Sequence, residues 1–231
     1  EGCDLIINAR TPGPLEEAAE AMRRAFGVSV TAVAADINSE AGRDALLAAC
    51  PNPDILVSSP GTRQVPGDFR SWDRAEWDKW WNEHFYTAVD LIKRVSPGMC
   101  DRKFGRIVNI SVSFIKFPQV GFAHSHSARA GLSAAIASFA RELIPHNVTV
   151  NSVCPGLFDT EALRVNLHGH AKRLNTTYEA MVEDRLKTCP AGRFADPKEC
   201  GDLVAFLCGT QSGFMTAQNI VNDGGFYQGL F

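Results

Sequence analysis

Two hydrophobic rhythms divide this chain. In one, β-branched and other apolar residues run together for a few positions between turn-forming residues; in the other, apolar positions recur every three or four residues. The first rhythm predicts strands at Asp4 to Asn8, Val28 to Ala35, Asp54 to Val57, Arg106 to Ile110, Val148 to Val153 and Thr216 to Asn222. The second predicts helices at Pro14 to Phe26, Ser39 to Ala49, Ser71 to Arg94 and Glu199 to Leu207, and another through Ala128, Gly131, Leu132, Ala135 and Ile136. Pro14 near one start and Gly27 at the matching end are the usual punctuation of a helix. Strands alternating with helices build an α/β domain on a parallel sheet. The stretch Gly105 to Leu132 organises the rest, because a buried strand there feeds a helix through a loop of Ser, Phe and Gly. Such a loop lies at the carboxyl edge of the sheet, where open α/β folds bind ligands.

Composition narrows the function classes. With 231 residues the chain is one domain with a sizeable core. A net charge of -3 gives no electrostatic case for nucleic acid or an anionic membrane. No apolar run approaches the roughly 20 residues of a membrane span, and no signal peptide opens the chain. The seven cysteines are scattered without a C-x-x-C pair, which favours a reducing cytoplasmic setting and offers no metal site. No internal repeat or domain linker is present.

The letters Gly105-Arg106-Ile107-Val108-Asn109-Ile110-Ser111, and later Ala130-Gly131-Leu132, resemble the active-site stretch of the short-chain dehydrogenase/reductase family. Further matches are Asp36-Ile37, the Pro155-Gly156 turn followed by Thr160, and the Asp223-Gly224-Gly225 turn. The resemblance covers nearly the whole chain. It implies a Rossmann-type doubly wound parallel sheet with helices on both faces, and nicotinamide-dependent carbonyl or alcohol chemistry. It also implies that the strand and glycine-rich loop that open the family are absent here. The chain begins at Glu1-Gly2-Cys3 without Met, so the expectation is an N-terminally incomplete domain lacking a segment of roughly 20–30 residues.

The resemblance places the cofactor on Arg10, Asp36, Ile37, Ser58, Gly61, Arg129, Pro155, Gly156 and Thr160. Arg10, with Ala9 where an acid would serve NAD, favours NADP over NAD, although a solvated arginine at a strand end accounts for it equally well. Asp36 could hold the adenine amino group or merely cap the Ser39 to Ala49 helix. Ser58-Ser59-Pro60-Gly61 stands where relatives have N-N-A-G, and Ala217 stands where they usually have Gly.

The proton machinery departs from the family. Its serine, tyrosine, lysine and asparagine fall on Val112, Ser125, Arg129 and His84. Ser125 and Arg129, four residues apart, share a helix face that should look into the cleft, with His84 opposite. Ser125 is too short and too weakly acidic to stand in for a phenol, and a guanidinium cannot relay a proton. His84 or a water held by Ser125 could serve instead, and Ser113 could replace the lost oxyanion donor. His124 and His126 flank Ser125 about 100° to either side and read as structural or lid-facing. The expected activity is an NAD(P)-dependent oxidoreductase on a small substrate. A non-redox enzyme using Ser125, Arg129 and His84, and an inactive subunit, remain as alternatives. Phe114, Phe117, Phe122 and Phe158 suggest an apolar or aromatic ligand. Trp72, Trp77, Trp80, Trp81, Phe85 and Tyr86 exceed what one buried stripe needs and suggest a homodimer or homotetramer interface. The segment Phe158 to Lys187 corresponds to the family's variable lid.

Overall fold

The computed structural model describes residues 1–59 and 66–230. Strand β1 (Leu5–Ala9) leads through Thr11 into α1 (Pro12–Phe26), whose first turn holds Pro12 and Pro14. Gly27 ends α1 in the left-handed conformation at φ 65, and its N–H donates to Arg23 O. Strand β2 (Val30–Ala34) then pairs in parallel with β1, Ile7 opposite Ala32. Helix α2 (Glu40–Ala49) begins at Ser39, whose hydroxyl accepts from Gly42 N–H at 3.0 Å. Ser39, not Asp36, is therefore the cap. Asp36 contributes its backbone carbonyl, which passes so close to α2 that a Cβ at position 42 would overlap it, and only glycine fits there.

The second group of strands forms a parallel sheet in the order β3 (Ile55–Ser58), β4 (Gly105–Ile110), β5 (Val148–Pro155) and β6 (Asn219–Asn222). Val108 lies opposite both Val57 and Asn151, so β4 and β5 run through the middle and are almost wholly buried. That is why they read as unbroken β-branched runs. Helices α4 (Thr87–Asp101) and α5 (Ala123–Leu143) cover one face, packing Ile92, Val95, Met99, Leu132 and Ile136 on Ile107, Val148 and Val150. Helix α8 (Pro197–Cys208) covers the other, with Leu207 on Val108 and Val153. Among the described residues β1 pairs only with β2 and β3 only with β4, so the sheet is in two pieces.

The helix expected from Ser71 to Arg94 is not continuous. A 3-10 turn at Phe69–Ser71 is followed by α3 (Arg74–Trp81), which Asp73 caps by accepting from Glu76 N–H at 2.9 Å. A π turn at Asn82–Tyr86 then joins α3 to α4. It is held open because the Thr87 hydroxyl donates to Asn82 O at 2.8 Å while Asn82 Nδ2 reaches across to Asn38 O at 3.0 Å. The segment expected as a lid folds into α6 (Glu161–Arg173) and α7 (Tyr178–Lys187), which pack Leu167 and Ala171 on Met181.

The strand expected from Thr216 starts only at Asn219, and Ala217 is the reason. Its φ of 61 lies in the left-handed region while its N–H donates to Val150 O at 2.8 Å. An L side chain there costs about 1–2 kcal/mol of backbone strain. Ala217→Gly should therefore raise stability by up to about 1 kcal/mol after the unfolded chain's extra entropy is discounted. In thermal unfolding this is a rise in Tm of roughly 2–4 °C; an unchanged or lower Tm would show that the alanine methyl packs to advantage.

Candidate active site

The carboxyl ends of β4 and β5 and the first turns of α5 converge on one guanidinium. Ser111 leaves β4 with its N–H on Val153 O at 2.8 Å, Val112 is extended, and a 3-10 turn follows at Ser113–Ile115. Helix α5 then returns over the strand ends, placing Ser125 fully out of solvent and Arg129, one turn on, half-buried. Arg129 Nη1 donates to Ile110 O at 3.3 Å, and its Nε is buried with no acceptor among the described residues. Burial pushes this guanidinium down to about 10, against the pull of Cys154 and Glu83, so it stays cationic at neutral pH. The hydroxyls of Ser58, Ser113 and Ser125 are also buried without a partner among the described residues. Burial pushes the Cys154 thiol up to about 11, with Lys116, Arg129 and the Ser111 hydroxyl opposing, which leaves it protonated and not nucleophilic.

Ser125 and Arg129 lie one turn apart on α5, which packs on the Ser113 turn, and Arg129 reaches the end of β4. His84 is buried on the π turn, 1% exposed, with its ring 5.3 Å from that of Trp80. Trp80 stacks on one face of His124 at 4.3 Å and Trp72 on the other at 4.0 Å, and Trp77 meets Trp72 edge-on at 5.8 Å. Three of the four tryptophans expected to face a second subunit thus close around a histidine of α5, and of this group Tyr86 is the ring left exposed. His124 accepts from Ser125 N–H at 2.7 Å, and burial lowers its pKa. His126 lies among Phe114 and Phe122 and accepts from Gln119 N–H at 3.3 Å. Both flanking histidines are buried among aromatic rings.

The positions expected to meet a cofactor lie along the same edge of the strands. Arg10 is exposed just beyond β1; Asp36 is exposed beyond β2 with Oδ1 accepting from Asn38 N–H, and Ile37 beside it is half-buried. Gly61 lies outside the described residues. After β5, Gly156 N–H donates to Asn222 O at 2.9 Å, and a Cβ at position 156 would lie 2.5 Å from that of Asp223. Only glycine allows this turn to sit so close to the turn after β6. Beside it is a cavity of about 330 Å³ lined by Pro155, Gly156, Leu157, Phe158, Thr160 and Leu163. The Thr160 hydroxyl accepts from Leu163 N–H at 3.2 Å as the cap of α6, which leaves its own proton to donate.

Residues 1–227 match the family model described as enoyl-(acyl carrier protein) reductase. The acetoacetyl-CoA reductase of Cupriavidus necator is 31% identical over 177 residues, which are 76% of this chain and 67% of that protein. That of Allochromatium vinosum is 28% identical over 236 residues, 98% of this chain and 89% of the other. The crystal structure of L-sorbose reductase from Gluconobacter frateurii, complexed with NADPH and L-sorbose, has a TM-score of 0.92 to this fold. It is 26% identical and covers 98% of this chain and 88% of its own. The chain is a short-chain dehydrogenase/reductase.

Within this short-chain dehydrogenase/reductase several groups at the cleft escape a linear reading. Glu83 is buried beside His84 and acts electrostatically on Arg129, and Lys116 acts on Cys154. Tyr227, in the tail, stacks on Phe117 at 5.5 Å, and Phe226 meets both Phe114 and Phe117. Phe114 and Phe117 are therefore already mated to the tail, while Phe158 lines the cavity by Gly156. Among the described residues no helix is long and apolar enough to cross a membrane, and no group of His, Cys, Asp and Glu is arranged to hold a metal ion.

Burial first, then the charges of Arg129 and His124, push His126 from 6.5 down to about 4. The unfolded chain binds that proton more readily than the folded one, so stability is full above the ordinary histidine range and declines as pH falls from 6.5 toward about 4. His126→Phe removes this term. In urea unfolding at pH 7 and pH 5, the wild type's advantage over His126→Phe should shrink at the lower pH; an advantage independent of pH would contradict the assignment.

Proposed function

We propose that this chain reduces a small carbonyl substrate with NADPH as hydride source. The observation that carries this reading is the Pro155–Gly156 turn, held against Asp223 with an approach only glycine permits and opening onto a cavity at the strand ends. The residues present fit a dinucleotide: Arg10 for a 2′-phosphate, Asp36 and Ile37 for the adenine, and the Gly156 backbone and Thr160 hydroxyl for the carboxamide. The Arg129 guanidinium, with donors to spare, suits the nicotinamide ribose and the reacting oxygen. NADPH bound in its structure with L-sorbose, the sorbose reductase supports this choice of cofactor.

The cofactor, when bound, supplies the hydride. This chain must then supply charge stabilisation and a proton at the substrate oxygen. The buried Arg129 charge stabilises the negative oxygen that develops, in a site where little water screens it. A water held by the Ser125 hydroxyl gives the proton, and the Ser113 hydroxyl takes the place of the oxyanion donor lost at Val112. His84, packed on Trp80, holds the π turn that carries Glu83 to the cleft. Self-assembly into a dimer or tetramer would use the face around the exposed Tyr86.

Reduction is read as carbonyl-dependent loss of reduced-nicotinamide absorbance. Ser125→Ala should lower kcat about 10- to 100-fold with cofactor affinity kept, the lower end of what a positioned proton donor contributes. Arg10→Glu should weaken NADPH about tenfold while sparing NADH. Tyr227→Phe should leave kcat within about twofold; a collapse there would place the proton donor on the tail. Absence of NADPH binding by calorimetry would sink the reading outright.

A further inference from the structure

We propose that Phe226 and Tyr227 are positioning residues: the tail after β6 clamps the loop between β4 and α5 and holds it in place for reduction. The inference rests on the reductase reading and adds to it two residues that act on the site through the loop. The tail is anchored by Asp223. Its Oδ1 accepts from Gly225 N–H at 3.1 Å and its Oδ2 from Tyr227 N–H at 2.9 Å, so the chain turns directly after β6. Gly224 O accepts from Ala191 N–H at 3.0 Å, which ties the same turn to the segment after α7. Two half-buried rings follow. Tyr227 stacks on Phe117 at 5.5 Å with 17° between the rings, and Phe226 meets Phe117 at 5.3 Å and Phe114 edge-on at 6.0 Å.

The loop they touch is closed by local backbone bonds. Ile115 N–H donates to Val112 O at 3.2 Å and Lys116 N–H to Ser113 O at 3.0 Å, both within one turn. Its rings carry the contacts outward. Phe117 packs on Phe114 at 5.2 Å, Phe114 reaches His126 at 5.8 Å, and Gln119 N–H donates to His126 Nδ1 at 3.3 Å. His126 directly follows Ser125 on the first turns of α5, so a series of ring contacts runs from the tail to that helix start. Edge-on and stacked pairs fix direction as well as distance. A displacement of about 1 Å at a reacting group can cost roughly 100-fold in rate. The proposed dinucleotide contacts at Arg10, Asp36, Gly156 and Thr160 lie on other segments, so loosening this loop should cost turnover and spare cofactor affinity.

The test combines Phe226→Ala with Tyr227→Ala and reads hydrogen exchange, NADPH calorimetry and turnover of ethyl acetoacetate with NADPH. Exchange at the Ile115 and Lys116 amides should rise at least about tenfold while β4 and β5 amides stay as in the wild type. The kcat should fall about 10- to 100-fold with NADPH affinity within about twofold. Tyr227→Phe keeps the ring and should keep both exchange and kcat. Unchanged exchange at Ile115 and Lys116, or an unchanged kcat with the turn loosened, overturns the proposal. Should β4 and β5 also exchange faster, the double variant has lost the fold, and Tyr227→Leu, which keeps apolar bulk without the stack, decides by the same two amides. A wild type without NADPH-dependent turnover, beside a turn that loosens in the variant, would remove the reductase reading and leave the clamp standing.

Discussion

Keeping a guanidinium charged inside a protein is expensive, and this fold arranges its strand ends around one that does so. Arg129 reaches back from α5 to the last carbonyl of β4, with buried hydroxyls on the turn before it and on its own helix. Its position follows from the parallel sheet. Strands β4 and β5 stop together, Ser111 N–H ties the first to Val153 of the second, and α5 has to cross just above them to bury Leu132 and Ile136 on Ile107 and Val150. The same packing that makes the core thus sets the charge at the mouth of the sheet. A lysine there could lose its proton to reduce the cost, whereas an arginine does so far less readily. The strand ends therefore carry a fixed positive charge rather than a titratable one.

The first turns of α5 are held by a different interaction. His124 lies between Trp72 and Trp80, and Trp80 extends the stack to His84 on the π turn. Burial lowers the pKa of His124 between the two indoles, and the indole of Trp80 finds its acceptor in Glu76 at 2.8 Å. Because His124 immediately precedes Ser125, this aromatic stack fixes where the Ser125 hydroxyl stands. Opposite, the tail rings Phe226 and Tyr227 fix the loop that carries Phe114 and Phe117.

Much of this was legible in the sequence. The order of strands and helices and the two-sided burial of β4 and β5 follow from local patterns with fixed geometric meaning. Ala217 at a glycine position was visible as a letter, and its left-handed backbone explains the shortened final strand. Other features depend on elements far apart in the chain. The surplus of indoles in α3 and just before it reads as an exposed face until a histidine 44 residues beyond Trp80 is placed between Trp72 and Trp80. The break at Asn82 depends on a carbonyl at Asn38. Glu83 and Lys116 come to one cleft from different elements, and their charges can be weighed only once they share a space. The one local hint was that Glu83 adjoins His84, which falls on the family's asparagine position.

The measurement that bears most directly on the role of Arg129 is a crystal structure of the protein grown with NADPH. The nicotinamide should lie against the Pro155–Gly156 turn, with the Arg129 guanidinium and the Ser125 hydroxyl both facing its reactive side. A nicotinamide elsewhere, or an Arg129 turned away from it to pair fully with Glu83, would contradict this account.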